Sequence, residues 1–172
     1  MFIKYALALS MFVSITNAKT IKITKGLDLK ISIPKGYKIS KVENTVPNLP
    51  ETIIISNGDY QVVFNSIPMT KTNLKNVGGL EKLLGMMTKK LKSGAVEKKF
   101  PVKKLKITPS AYVTITDAKM VGKKSAHNNW RCATAGVIHG KKMVLNFTLF
   151  SHSFKGKEYK KLMKMLNGLK IK

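Results

Sequence analysis

Apolar and polar residues alternate cleanly near the front of the chain. In Thr20-Ile21-Lys22-Ile23-Thr24 the isoleucines face one way and the polar residues the other, and Leu27, Leu29, Ile31 and Ile33 then alternate with Asp28, Lys30 and Ser32. A period of two with one polar side predicts antiparallel strands lying over a core. Pro34-Lys35-Gly36 closes this stretch in a turn, and a loop through Pro47-Asn48-Leu49-Pro50 precedes the next. Thr52 to Ser56 and Tyr60 to Ile67 flank Asn57-Gly58-Asp59. Asn-Gly between apolar runs predicts a hairpin, because both residues tolerate positive φ.

The period then becomes helical. Val77, Leu80, Leu84, Met87 and Leu91 recur at spacings of 3 and 4, with Leu83 alongside, which predicts one helix lying across a sheet. Asn76 is placed to cap its start, and Lys89, Lys90 and Lys92 suit its C-terminal end before Ser93-Gly94. Gly78, Gly79 and Gly85 lower its propensity and point to close approach to the sheet or a late start. Strand patterns return at Val102, Leu105 and Ile107, at Ala111 to Met120, and in two arms, Asn129 to His139 and Lys142 to Ser151, around His139-Gly140-Lys141. The chain closes in an amphipathic helix whose apolar stripe is Tyr159, Leu162, Leu166 and Leu169. Its other side carries Lys157, Lys160, Lys161 and Lys164, and Gly168 sits near its end as a stop. Four strands, a helix, four strands and a helix, joined by hairpins, predict an α+β domain with an antiparallel sheet and two main helices packed on it.

Residues 1–18 read as a secretory signal peptide. Lys4 supplies the positive start, Tyr5 to Ile15 the apolar stretch and Thr16-Asn17-Ala18 the small-residue exit. The apolar run is short of the roughly 20 residues that cross a bilayer. Residues 19–172 then form a single domain, exported, and either periplasmic, as expected in a Gram-negative host, or extracellular. Cys132 is the only cysteine, so in an oxidising compartment it is either a buried small apolar residue or a site for pairing with another molecule.

With 172 residues, 44% of them hydrophobic, the chain suits one ordinary globular core. Charge changes the picture: 32 Lys+Arg against 8 Asp+Glu leave a formal net charge of +24. All the basic residues but Arg131 are lysine, which an A/T-rich genome would produce without selection for binding. The functional account is an acidic partner: an acidic protein, an anionic envelope polymer or lipid head groups. Nucleic acid is disfavoured, since the chain offers Lys98-Lys99-Phe100 and Lys103-Lys104 but no recognition motif and a single arginine.

The element order, together with Leu29-Lys30-Ile31-Ser32-Ile33-Pro34-Lys35-Gly36-Tyr37 and the last hairpin and helix, Val137 to Ile171, resembles the PsbP/Mog-like family, which includes DcrB-like exported bacterial proteins. In that family an early strand also runs into a Pro-x-Gly-aromatic turn, and the last strand leads to a terminal helix and a short apolar segment, here Gly168-Leu169-Lys170-Ile171. The resemblance implies a non-enzymatic role in binding, assembling or guarding another protein, as immunity or chaperone-type proteins do. It carries no catalytic residues.

Candidate chemistry is sparse. Cys132 with His127 or His139 is the nearest approach to a thiol site, and alternation puts Cys132 on the face of Trp130, Thr134 and Ile138, with His139 on the other. That arrangement favours a core cysteine over a thiol enzyme or hydrolase. His127, His139 and His152 with the methionines show no spacing for a metal, and Asp28, Glu43, Glu51 and Asp59 no pairing for acid–base work. No cofactor is expected. Trp130-Arg131 sets a fork-shaped donor beside the only tryptophan, a composition that suits an interface anchor and equally a core Trp with Arg131 at the sheet rim. The lysines of the last helix are the other interface candidate, including peripheral contact with an anionic membrane, because its apolar stripe is needed for the core.

Overall fold

Alternating segments do become strands, and the protein places them in two antiparallel sheets. The computed structural model describes residues 17–24, 27–42, 52–123, 129–140 and 143–171. The expected signal peptide lies outside these residues except for Asn17 and Ala18, and so do Glu43, Glu51 and His127. The elements are β1 (Asn17–Thr24), β2 (Leu27–Ile33), β3 (Lys38–Val42), β4 (Thr52–Ser56), β5 (Gln61–Pro68), α1 (Lys71–Asn76), α2 (Gly79–Ser93), β6 (Ser110–Thr116), β7 (Cys132–His139), β8 (Met143–Ser151), α3 (Lys157–Asn167) and β9 (Lys170–Ile171).

The larger sheet runs β3-β4-β5-β8-β7-β6 and the smaller β1-β2-β9. Both expected hairpins form. Ser56 pairs with Gln61 and His139 with Val144, and the first turn closes by Asn57 Oδ1 accepting the Asp59 and Tyr60 N–H groups, with Gly58 at φ 95°. One face of the larger sheet carries Ile53, Ile55, Val62, Phe64, Leu145, Phe147 and Leu149, all buried in one cluster with Leu29, Ile31 and Ile33 of β2 and Tyr159, Leu162, Met165 and Leu166 of α3. Burying each such side chain contributes roughly 1.5–3 kcal/mol. The opposite face is covered at the β6–β7 end, where Ala111, Val113, Ile115, Val137 and Val144 meet Leu83 and Leu84 of α2.

The expected α+β class, antiparallel pairing and two main helices are present, while the element order and sheet count differ in four places. A single sheet was expected. Instead Pro34-Lys35-Gly36, with Gly36 at φ 90°, turns the chain out of the first hairpin, and β2 takes β9 as its second neighbour, Leu29 opposite Ile171. A strand at 38–42 is absent from the sequence pattern because β3 is an edge with one half-buried side chain, Ile39, among exposed Lys38, Ser40, Lys41 and Val42. Lysines on such an edge discourage pairing with other chains. No strand forms at 102–107, where only Lys103 bridges to Tyr112: Val102, Leu105 and Ile107 do not alternate. The expected strand to Met120 stops at Thr116, because the Asp117 carboxylate accepts the Lys119 N–H and bends the chain into a short 3-10 turn.

The first helix also differs. Thr70 caps a separate α1 through its hydroxyl, and Gly78 and Gly79 at φ 85° and 88° break the chain before α2. Asn76 therefore ends α1 instead of starting one long helix. In α2 the buried residues are Leu83, Leu84 and Thr88, and Leu91, the last of the expected stripe, is 38% exposed.

Candidate anion-binding surfaces

α3 forms because Tyr159, Leu162, Met165, Leu166 and, just beyond its end, Leu169 bury on the sheet, and Gly168 caps it by donating its N–H to the Lys164 and Met165 carbonyls. That packing forces the intervening residues outward. Lys157, Lys160, Lys161 and Lys164 line one shallow surface cleft of about 370 Å³, and among the described residues none that lines it is acidic. Glu158 stands beside the row. Its Oε1 accepts from Lys161 Nζ at 2.6 Å and its Oε2 from the Tyr37 hydroxyl at 3.1 Å. The Lys161 bond, joined by the Tyr37 bond, holds the Glu158 carboxyl below its ordinary range, while burial and then Glu158 push the Tyr37 phenol up. Lys161, inside the row, is thereby tied to a carboxylate beside it.

Trp130 and Arg131 are anchored within their own chain. The indole Nε1 donates to the Asp59 carbonyl at 2.9 Å, and its rings stack on Phe150 with centroids 4.9 Å apart. Phe150 lies opposite Ala133 and Gln61, on the sheet face away from Cys132, so the expected placement of Trp130 on the face of Cys132 is corrected. The strand begins at Cys132, and its alternation does not reach back to Trp130. Arg131 Nη2 donates to the Lys123 carbonyl at 2.9 Å, and its buried Nε takes no partner among the described residues. The pair thus ties the β4–β5 turn and residue 123 to the start of β7. It lies across the larger sheet from α3, and the fold does not join it to the lysine row.

Cys132 is buried at one end of β7, opposite Ser151, and His139 is at the other end. Burial pushes the thiol pKa up, with the Arg131 charge opposing it, so the thiolate that a nucleophile needs is disfavoured. His152 packs edge-on against Tyr60 at 5.4 Å. Phe100 of the Lys98-Lys99-Phe100 stretch is half-buried against the α2 cluster, with Lys92 Nζ 5.2 Å from its ring centre. Asp59 belongs to the β4–β5 turn, and Glu97 accepts from the Thr116 N–H and hydroxyl at 2.8 and 2.6 Å.

One concave site has no signal in the sequence. At the C-terminal end of α3 a cleft of about 650 Å³ is lined by Lys71, Lys106, His139 and Lys170, with Ile107, Pro109 and Ile171 as its apolar part. Its polar groups come from four separate stretches of chain, so no local spacing announces it.

Among the described residues no helix is long and apolar enough to cross a membrane. No protein-family model matches the chain, and no curated protein matches it in sequence. Among solved structures, cyanobacterial PsbP (CyanoP) from Synechocystis sp. PCC 6803 is similar over 96% of this chain and 99% of its own, with a TM-score of 0.50 and 14% identity. The protein has a PsbP-like fold.

Proposed function

We propose that the protein is a small exported binding protein, not an enzyme, that holds an acidic protein partner against the lysine row of α3. The observation that carries this reading is that Lys157, Lys160, Lys161 and Lys164 line one cleft with no acidic residue in its lining among the described residues, only Lys161 of the four being paired with Glu158 beside it. Long-range attraction to a chain of net charge +24 would speed the encounter, and the fixed spacing along a rigid helix would supply the specificity. Two observations favour this over a thiol enzyme and over insertion into a membrane. Burial disfavours the Cys132 thiolate, and the apolar residues of α3 already belong to the core. Export rests on the apolar start of the chain, Tyr5 to Ile15 after Lys4.

The test is affinity capture from envelope extract at low and high salt, with the wild type and with Lys157, Lys160 and Lys164 all changed to Gln. A single acidic protein retained by the wild type at both salts and lost by the triple variant supports the reading. Broad capture that vanishes at high salt overturns it and leaves a general polycation, which would direct attention to an anionic envelope polymer or membrane surface.

A further inference from the structure

We propose that the cleft between α1, the 95–109 loop, the end of β7 and β9 binds a phosphate dianion, free or carried as a monoester on a small organic body. Lys71 reaches it from α1, Lys106 from the loop, His139 from β7 and Lys170 from β9, and among the described residues none that lines it is acidic. Three lysines and a histidine lining one concavity suit a doubly charged oxyanion better than a single carboxylate. Its volume of about 650 Å³ exceeds what phosphate needs, and Ile107, Pro109 and Ile171 offer an apolar bed for an attached body.

The lysines are not there to satisfy the end of α3. The last-turn carbonyls are already taken: Met163 by the Asn167 amide, Lys164 and Met165 by the Gly168 N–H, and Leu166 by the Leu169 N–H. Asn167 Oδ1 in turn accepts the Lys106 N–H at 2.7 Å, which fixes the loop carrying that lysine against the helix end. His139 is the informative member. Its backbone is held by donation to the Pro109 carbonyl, yet its buried Nε2 takes no partner among the described residues.

His139 also lines a second hollow beside α1, with Lys71 and Lys75, so among the described residues every charged group lining the two hollows it borders, Lys71, Lys75, Lys106 and Lys170, is cationic. Burial and then Lys71 hold the His139 pKa below its ordinary value. A dianion in the cleft reverses that balance. It offsets the lysine charge beside the ring, so the imidazole takes up a proton as the anion binds.

The experiment follows the His139 ring signals by NMR across pH in the full chain, in sodium phosphate, in glycerol phosphate and in sodium chloride at matched ionic strength. At saturating phosphate the His139 midpoint should rise by about one pH unit, the linkage equivalent of tenfold tighter dianion binding to the protonated ring. In Lys106→Gln/Lys170→Gln, checked for folding by its retained amide spectrum, the phosphate response should disappear. A response to both phosphates assigns the site to the phosphate group itself, and a response to the monoester alone assigns part of the binding to the apolar bed. An equal rise in chloride, or no rise in either phosphate, overturns the proposal. Changing Lys157, Lys160 and Lys164 to Gln should leave the His139 response intact, so the outcome is independent of the α3 reading.

Discussion

α2 and α3 are both lysine-rich amphipathic helices on the same sheet, and they come to different ends. α3 buries Tyr159, Leu162, Met165 and Leu166 under a second layer that includes β2, and its lysines at 157, 160, 161 and 164 fall in one row. α2 buries only Leu83, Leu84 and Thr88, starts at a glycine pair and leaves Met86 and Leu91 exposed. Its lysines at 82, 89, 90 and 92 leave the middle of the helix without one, and Lys92 turns to the ring of Phe100. A high lysine count therefore does not make a charged surface. The row on α3 exists because a tightly seated apolar stripe dictates where the remaining positions point.

The largest effect should come from the seat itself. Leu162→Ala should destabilise by about 2–5 kcal/mol, because it opens a cavity in the fully buried cluster. Leu91→Ala, at the exposed last position of the α2 stripe, should change stability by under about 0.5 kcal/mol. Urea unfolding of both variants reads the difference, and equal losses would erase the contrast between the helices. A second pair of substitutions probes free space on the two sides. At Gly136 a new Cβ would collide with the Phe147 ring and come within 2.7 Å of Tyr112 Cβ, whereas at Gly85 it meets nothing within 4 Å. Gly136→Ala should therefore cost about 1–3 kcal/mol by overpacking. Gly85→Ala, in a helix interior, should stabilise by about 0.5–1 kcal/mol, visible as a raised thermal midpoint.

A smaller effect sharpens the comparison through pH. Glu97 sits below its ordinary pKa of 4.5: burial opposes this, and the Thr116 hydroxyl and N–H outweigh it. A carboxylate whose folded pKa is depressed contributes stability above its unfolded pKa, and that contribution is lost as pH falls through the folded value. Glu97→Gln should flatten the decline of stability between neutral pH and the acid side of 4.5, on the strand edge that α2 covers. An unchanged slope would remove Thr116 as the source of the shift. Glu158, held low by Lys161 on the α3 side, should show the same sign, weakened by its exposure to solvent and salt.

Much of the fold was legible locally. Asn57-Gly58 marked a hairpin, the 3-and-4 spacing from Tyr159 to Leu169 marked α3, and Gly168 marked its end, because each depends on residues within a turn or two of one another. The lysine row was equally legible, since helical periodicity alone places those four residues together. The β3 edge was not, because its alternation carries almost no apolar residues, and the break at Gly78-Gly79 was not, because glycine lowers helix propensity without saying whether the helix ends. Trp130 could not be placed either: its partners, Asp59 and Phe150, lie 71 and 20 residues away.

By itself the sequence determined the strands and helices with strong period, the buried stripe of α3, and with it the direction of the lysine row. Only the tertiary structure decided that β2 would pair with β9, that the strands would divide into two sheets, and that Lys71, Lys106, His139 and Lys170 would meet in one cleft. The reason is physical. Periodicity says which side of an element must leave water, but which other element covers it is settled by packing among segments distant in the chain.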